Sequence, residues 1–226
     1  MAAEALQQRP QAILFDLDGT LADTAPDLAA AVNKLRTDRQ LEPVAYARLR
    51  PVASAGARGL IDAAFGIGVD HPDYVGLRDD FLRNYVAAMA VDSVLFDGVH
   101  AMLTDLQRLG IVWGIVTNKA ARLTEVLVPQ IGLADAGCIV SGDTTAHAKP
   151  HPAPLLEAAR RLGIAPAHCW YVGDDLRDID AGRAAGMPTI AAAWGYCGNT
   201  APLAWGADAM LAQPLDVLAQ LALCAS

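Results

Sequence analysis

Ala12-Ile13-Leu14-Phe15-Asp16-Leu17-Asp18-Gly19-Thr20 decides how this chain is read. The four apolar residues predict a strand. Two carboxylates, Asp16 and Asp18, leave its end, and Gly19-Thr20 turns the chain away. A pair so placed can project into one pocket from a strand's carboxyl end, where open α/β sheets bind ligands. Like charges this close repel, so both stay ionised only where a cation or phosphate chemistry organises them. The plain alternative is a solvated Asp-x-Asp-Gly turn.

Three later segments weigh against that alternative. Ile115-Val116 runs into Thr117-Asn118-Lys119, a hydroxyl and an amide at the end of a second apolar run. Lys149-Pro150 lies in a loop ahead of a helix that starts near Pro152. Trp170-Tyr171-Val172-Gly173 runs into the acids Asp174, Asp175 and Asp178. Carboxylate pair, hydroxyl, lysine and acid cluster thus follow strands or loops that one edge of a parallel sheet can carry.

Strand-like runs fall at 11–16, 111–117, 137–141, 169–173, 188–193 and, weakly, 208–211. Helical patterns separate the later ones: Val99, Met102, Leu103 and Leu106, stopped by Gly110; Leu155, Leu156, Ala159 and Leu162, stopped by Gly163; and Ile179 to Ala185, stopped by Gly186. The alternation predicts an α/β fold, a doubly wound parallel sheet. The exception is the stretch from about 20 to 98, which shows helices and no strand. One opens with Thr24-Ala25-Pro26-Asp27, a capping-box-like start, and continues through Leu28, Ala31, Val32 and Leu35. Others span roughly Ser54 to Phe65 and Asp73 to Ala90. Residues 21–94 are therefore expected to form a second, smaller domain inserted after the first strand, with 1–20 and 95–226 forming the core.

With 54% apolar and 19% charged residues among 226, the chain is long and apolar enough to bury a substantial core. A net charge of −8 argues against nucleic acid and anionic membranes as partners. Cys138, Cys169, Cys197 and Cys224 form no Cys-x-x-Cys pair and read as free thiols of a reducing compartment. Met1 to Pro10 has no apolar stretch to act as a signal or anchor, and no segment is as long as a membrane span. The expected location is the cytoplasm. Oligomeric state is not readable from the sequence.

The four motifs, Asp16-Leu17-Asp18-Gly19-Thr20, Thr117-Asn118, Lys149-Pro150 and Gly173-Asp174-Asp175 with Asp178, resemble those of the haloacid dehalogenase superfamily of phosphotransferases. The resemblance runs from about residue 11 to about 212. Asp16 to Asn33 looks like the phosphoglycolate phosphatase branch. Gly56-Ala57-Arg58-Gly59, Trp113 to Lys119, Gly173 to Asp180 and Trp205 to Asp208 look more like bacterial N-acetylmuramic acid 6-phosphate phosphatases. The resemblance implies a helical cap closing over the active site, with hinges near 20–24 and 91–98. It implies that Asp16 attacks phosphorus, and that Asp18 protonates the leaving alkoxide and later takes a proton from water. Mg²⁺ suits a site of hard oxygen ligands, and the implied ligands are Asp16, the backbone carbonyl of Asp18, and Asp174. Thr117 and the backbone N–H of Asn118 would hold phosphate oxygens, and Lys149 would offset the charge of Asp16 and the phosphate.

By the same resemblance Asp178 would lie just outside the ligands, orienting metal-bound waters or Lys149. Asp175 reads either that way or as an acid favoured at a helix N-terminus. Arg58, Gly-flanked in the cap, is the candidate reader of a substrate carboxylate, since a guanidinium fork suits that group. A surface arginine is the alternative. The expected activity is that of a Mg²⁺-dependent phosphomonoesterase of the phosphoglycolate phosphatase type, acting on a small carboxylate-bearing phosphate ester through an aspartyl-phosphate, with hydrolysis of N-acetylmuramic acid 6-phosphate in peptidoglycan recycling as the alternative. Rivals are a dehalogenase, disfavoured because that chemistry lacks the acid present here as Asp18, a phosphomutase, a phospho-receiver domain and a non-catalytic binding protein.

Overall fold

The computed structural model describes residues 6–198 and 200–224. Strand β1, Ala12–Phe15, is wholly buried. The chain then forms a two-residue strand β2, Ala22–Asp23, and enters helix α1, Ala25–Thr37. Helices α2 (Tyr46–Leu49), α3 (Gly56–Phe65) and α4 (Tyr74–Ala87) follow, with a 3₁₀ turn at Arg50–Ala55 ahead of α3. Strand β3, Val94–Leu95, returns antiparallel to β2. The remainder alternates: α5 (Val99–Arg108), β4 (Val112–Val116), α6 (Ala121–Gln130), β5 (Ile139–Val140), α7 (Ala153–Leu162), β6 (Cys169–Gly173), α8 (Leu176–Ala184), β7 (Thr189–Ala192), β8 (Ala209–Leu211) and α9 (Asp216–Ala222).

Six strands form one sheet in the order β5-β4-β1-β6-β7-β8, and every pairing in it is parallel. The fold is the expected α/β class, with helices flanking the sheet. β1 sits centrally because all four of its side chains are apolar; Phe15 and Ile13 join one core and Leu14 and Ala12 another. A third cluster, built from Leu28, Val32 and Leu35 of α1 with Leu60, Ile61, Phe81 and Tyr85, holds the helices between β2 and β3 together. Leu123 and Tyr196 join the same cluster, so these helices pack both on one another and against the rest of the chain.

Three local readings need correction. The stretch 20–98 does contain strands, β2 and β3, each too short to show a period-two pattern. The helix expected from Ser54 starts at Gly56, after the 3₁₀ turn. The Thr24 side chain caps no helix, because its hydroxyl donates to Asp18 Oδ1 at 2.5 Å. Asp27 is likewise engaged elsewhere, accepting the backbone N–H groups of Val91, Asp92 and Ser93 and the Ser93 hydroxyl.

Candidate active site

The motifs meet at the carboxyl edge of the sheet, where β1, β4 and β6 lie side by side. Asp16 leaves β1 held by its N–H to Val172 O, and it is 7% exposed. Gly19 takes φ +94°, and a Cβ there would lie 2.2 Å from Asp174 Oδ2, so the turn admits only glycine. That close approach brings the β1 loop against the β6 loop. Thr20 Oγ1 then donates to Asp174 Oδ1 at 3.0 Å, and the Tyr196 N–H donates to Asp174 Oδ2 at 2.9 Å.

Lys149 is buried at the centre. Its Nζ donates to Val116 O (2.9 Å), Tyr171 Oη (2.8 Å) and Asp178 Oδ1 (2.7 Å), and lies 2.9 Å from Asp16 Oδ1. The Asp16 contact is an ion contact without hydrogen-bond geometry, so Asp16 Oδ1 is buried with no donor. Burial works against the Lys149 ammonium, but Asp16 and Asp178 outweigh it and hold its pKa above that of ordinary lysine. Asn118 fixes the lysine loop: its amide donates to Lys149 O at 3.0 Å and accepts from Lys149 N–H at 2.9 Å.

Asp16, Asp174 and Asp178 bring carboxylate oxygens within 4.8 Å of one another. Burial pushes Asp16 up to about 7 and pushes Asp174 well above the carboxylate range, with the neighbouring acids adding to both. A buried, donorless oxygen among three clustered acids is the donor set that a divalent cation fits, and such a charge restores the ionised forms. Asp178 is thereby drawn into the acidic group while also holding Lys149. It accepts the N–H of Asp175, and Asp175 accepts the N–H of Arg177, a capping box that starts α8. Asp175 is thus a helix-start acid, and its ion pair with Arg177 holds its carboxyl below the usual range against the opposing effect of burial.

Asp18 lies at the mouth of the pair. Thr24 Oγ1 at 2.5 Å and Lys119 Nζ at 2.9 Å both bond its Oδ1, while Oδ2 accepts no hydrogen bond from the described residues. Asp16, Asp18 and Lys149 line a cavity of about 220 Å³, together with Thr117, Phe81 and Tyr85. Ser54, in the 3₁₀ turn ahead of α3, also reaches the site: its Oγ donates to Asp174 Oδ2 at 3.1 Å, and its O accepts from Arg177.

Arg58 does not line the cavity, and its side chain is exposed. Ala55, Gly56 and Ala57 occupy the lining, and each further helix residue turns about 100° away. Lys119, Arg122 and Arg177 supply cations to the cavity, and none was singled out from the sequence. Lys119 had an available signal, standing directly after Thr117-Asn118. Ser54, Tyr85 and Tyr196 had none, because only the tertiary fold carries them to the site.

A site of this kind on a parallel sheet defines an enzyme of phosphate esters, and comparison with known proteins agrees. The family model described as haloacid dehalogenase-like hydrolase matches residues 13–192. The phosphoglycolate phosphatase of Xanthomonas campestris pv. campestris (strain 8004) is 49% identical over 207 residues, covering 91% of this chain and 93% of that one. The N-acetylmuramic acid 6-phosphate phosphatase of Pseudomonas aeruginosa is 41% identical over 222 residues, covering 96% and 98%. The crystal structure of a predicted phosphoglycolate phosphatase from Haemophilus somnus superposes with a TM-score of 0.80 at 25% identity, covering 92% and 96%. The chain belongs to the haloacid dehalogenase-like hydrolase family and is a phosphoric monoester hydrolase. No helix among the described residues is long and apolar enough to cross a membrane.

Proposed function

We propose that this enzyme hydrolyses a small, carboxylate-bearing phosphate ester of the phosphoglycolate type through an aspartyl-phosphate on Asp16. The observation that carries the reading is Asp16 itself, buried in the cavity lining beside Lys149 with one oxygen lacking a donor. An Asp16 oxygen attacks phosphorus in line, and the ester oxygen leaves with the proton of Asp18 Oδ2. Asp18 then takes a proton from the water that attacks the aspartyl-phosphate. Thr117 Oγ1 and the Asn118 N–H hold the equatorial oxygens, and Lys149 offsets their charge. Asp16, the backbone carbonyl of Asp18, and Asp174 would hold Mg²⁺, which supplies charge neutralisation at the phosphoryl group when bound. Asp178 keeps Lys149 in place. The cap, residues 21–94, closes the site from water.

The second reading is hydrolysis of N-acetylmuramic acid 6-phosphate, in peptidoglycan recycling. It is supported by the Pseudomonas aeruginosa relative, which matches nearly the whole chain. The net charge of −8 fits a cytoplasmic enzyme with a small-molecule substrate and no nucleic-acid or membrane partner. Phosphate release from p-nitrophenyl phosphate with and without Mg²⁺ tests the chemistry. Comparing kcat/KM for phosphoglycolate and N-acetylmuramic acid 6-phosphate chooses the leaving group, and a higher value for the sugar phosphate would overturn the first reading.

A further inference from the structure

Part of the cavity wall carries polar capacity that the phosphoryl chemistry leaves unused. Tyr85, on α4, lines the cavity, and its hydroxyl is buried with no hydrogen-bond partner among the described residues. Buried polar groups are nearly always paired, so an unpaired one on a residue that lines a ligand cavity points to a partner that arrives with the ligand. Lys119 Nζ lies 4.7 Å from the centroid of the same ring. It is buried and bonds Asp18 Oδ1, yet an ammonium offers three N–H groups. Arg122, at the cavity rim, is exposed and has no hydrogen bond or ion pair among the described residues. The surrounding wall, Leu28, Phe81 and Leu123, is apolar, which concentrates the polar demand at Tyr85 and Lys119.

We propose that Tyr85 and Lys119, with Arg122 at the rim, bind a carboxylate of the leaving group, one carbon removed from the ester oxygen. This inference rests on the reading of Asp18 as the acid that meets the ester oxygen. In such an ester three bonds separate the ester oxygen from a carboxylate oxygen, so the two lie within about 4 Å. Lys119 is 2.9 Å from Asp18, which puts its ammonium within reach of that carboxylate. Tyr85 Oη donates to it as a neutral group, and Lys119 pairs with its charge while keeping Asp18 in position. Arg58, exposed and off the cavity, takes no part.

The test uses the intact enzyme with Mg²⁺ and two matched esters, 2-phosphoglycolate and 2-hydroxyethyl phosphate, which differ in carboxylate against hydroxymethyl. Wild-type kcat/KM should favour the carboxylate by at least about tenfold, as expected for a charge-assisted contact. Tyr85→Phe keeps the ring over Lys119 and removes only the hydroxyl. It should cut that preference by about tenfold, chiefly through KM for phosphoglycolate. Arg122→Gln should produce a smaller loss that fades with added salt, as for an exposed charge. Equal wild-type kcat/KM for the two esters overturns the pocket, and that comparison needs no variant. So does a Tyr85→Phe enzyme that slows both esters by the same factor. Absence of phosphate release from these esters and from p-nitrophenyl phosphate refutes instead the phosphatase chemistry of Asp16 and Asp18, and the pocket falls with it.

Discussion

Replacing Asp27 by alanine should loosen the connection between helix α1 and the segment that leads into β3. Asp27 is 4% exposed, and four donors converge on its carboxylate: Val91 N at 3.1 Å, Asp92 N at 2.9 Å, Ser93 N at 3.0 Å and Ser93 Oγ at 2.6 Å. The convergence is made possible by Ala90, whose φ of +63° turns the chain back towards α1. Val91 and Asp92 are exposed, so water can replace the carboxylate at their N–H groups. Ser93 is buried, and its two donors would be stranded. At about 1–2 kcal/mol for each stranded group, the loss is about 2–4 kcal/mol. For a chain of this size that corresponds to a drop of about 4–16 °C in Tm. Urea unfolding at constant m-value and a thermal scan measure it. Asp27→Asn should fall between, since one oxygen still accepts while the amide nitrogen faces a donor. A loss below about 1 kcal/mol for Asp27→Ala would refute the idea that this carboxylate pins the returning strand.

Asp18→Ala should slow hydrolysis of an alkyl phosphate far more than that of p-nitrophenyl phosphate in the first step, because nitrophenolate leaves without a proton. Equal damage to that step with both esters, in rapid-quench kinetics, would count against Asp18 as the acid. Chelation with EDTA should abolish activity and Mg²⁺ restore it, with Asp174→Ala demanding far more metal; full turnover in excess EDTA would remove the cation from the mechanism. In the metal-free protein, burial raises Asp16 from 3.8 to about 7, so between those values the folded state keeps a proton that the unfolded chain has lost. Stability of the metal-free enzyme should therefore decline as pH rises through that window. Because metal and proton compete for these acids, Mg²⁺ should raise Tm more above about pH 7 than near about pH 5; the reverse order would contradict that competition.

The sheet was legible because its strands are uninterrupted apolar runs bounded by glycine and polar turns. Cys169–Gly173 matches the expected 169–173, and Ala12–Phe15 falls inside 11–16. Asp16, Thr117 and Asp174 of the candidate site were legible because they directly follow those runs, and a parallel sheet brings all the carboxyl ends to one edge, whereas Lys149 arrives on a loop. What stayed hidden depends on tertiary contact. Thr24 has the look of a helix cap, but Asp18 claims its hydroxyl. Arg58 stands between glycines like a reader of anions, but it is exposed and off the cavity lining. Tyr85 reads as one more aromatic on a helix, and only its unpaired buried hydroxyl beside Lys119 distinguishes it. The resemblance put Asp178 near Lys149, but its additional tie to Tyr171 requires the fold.

The covalent role of Asp16 is tested most directly by rapid quench during turnover with Mg²⁺, followed by proteolysis and mass spectrometry of the peptide that carries Asp16 and Asp18. The account predicts the mass of one phosphoryl group on Asp16, formed before product accumulates, lost on chasing with buffer, and absent from an Asp16→Asn enzyme whose activity has fallen at least about 10³-fold. An Asp16→Asn enzyme within tenfold of wild type, with deamidation excluded, or wild-type turnover with the phosphoryl group found on another residue, would contradict it.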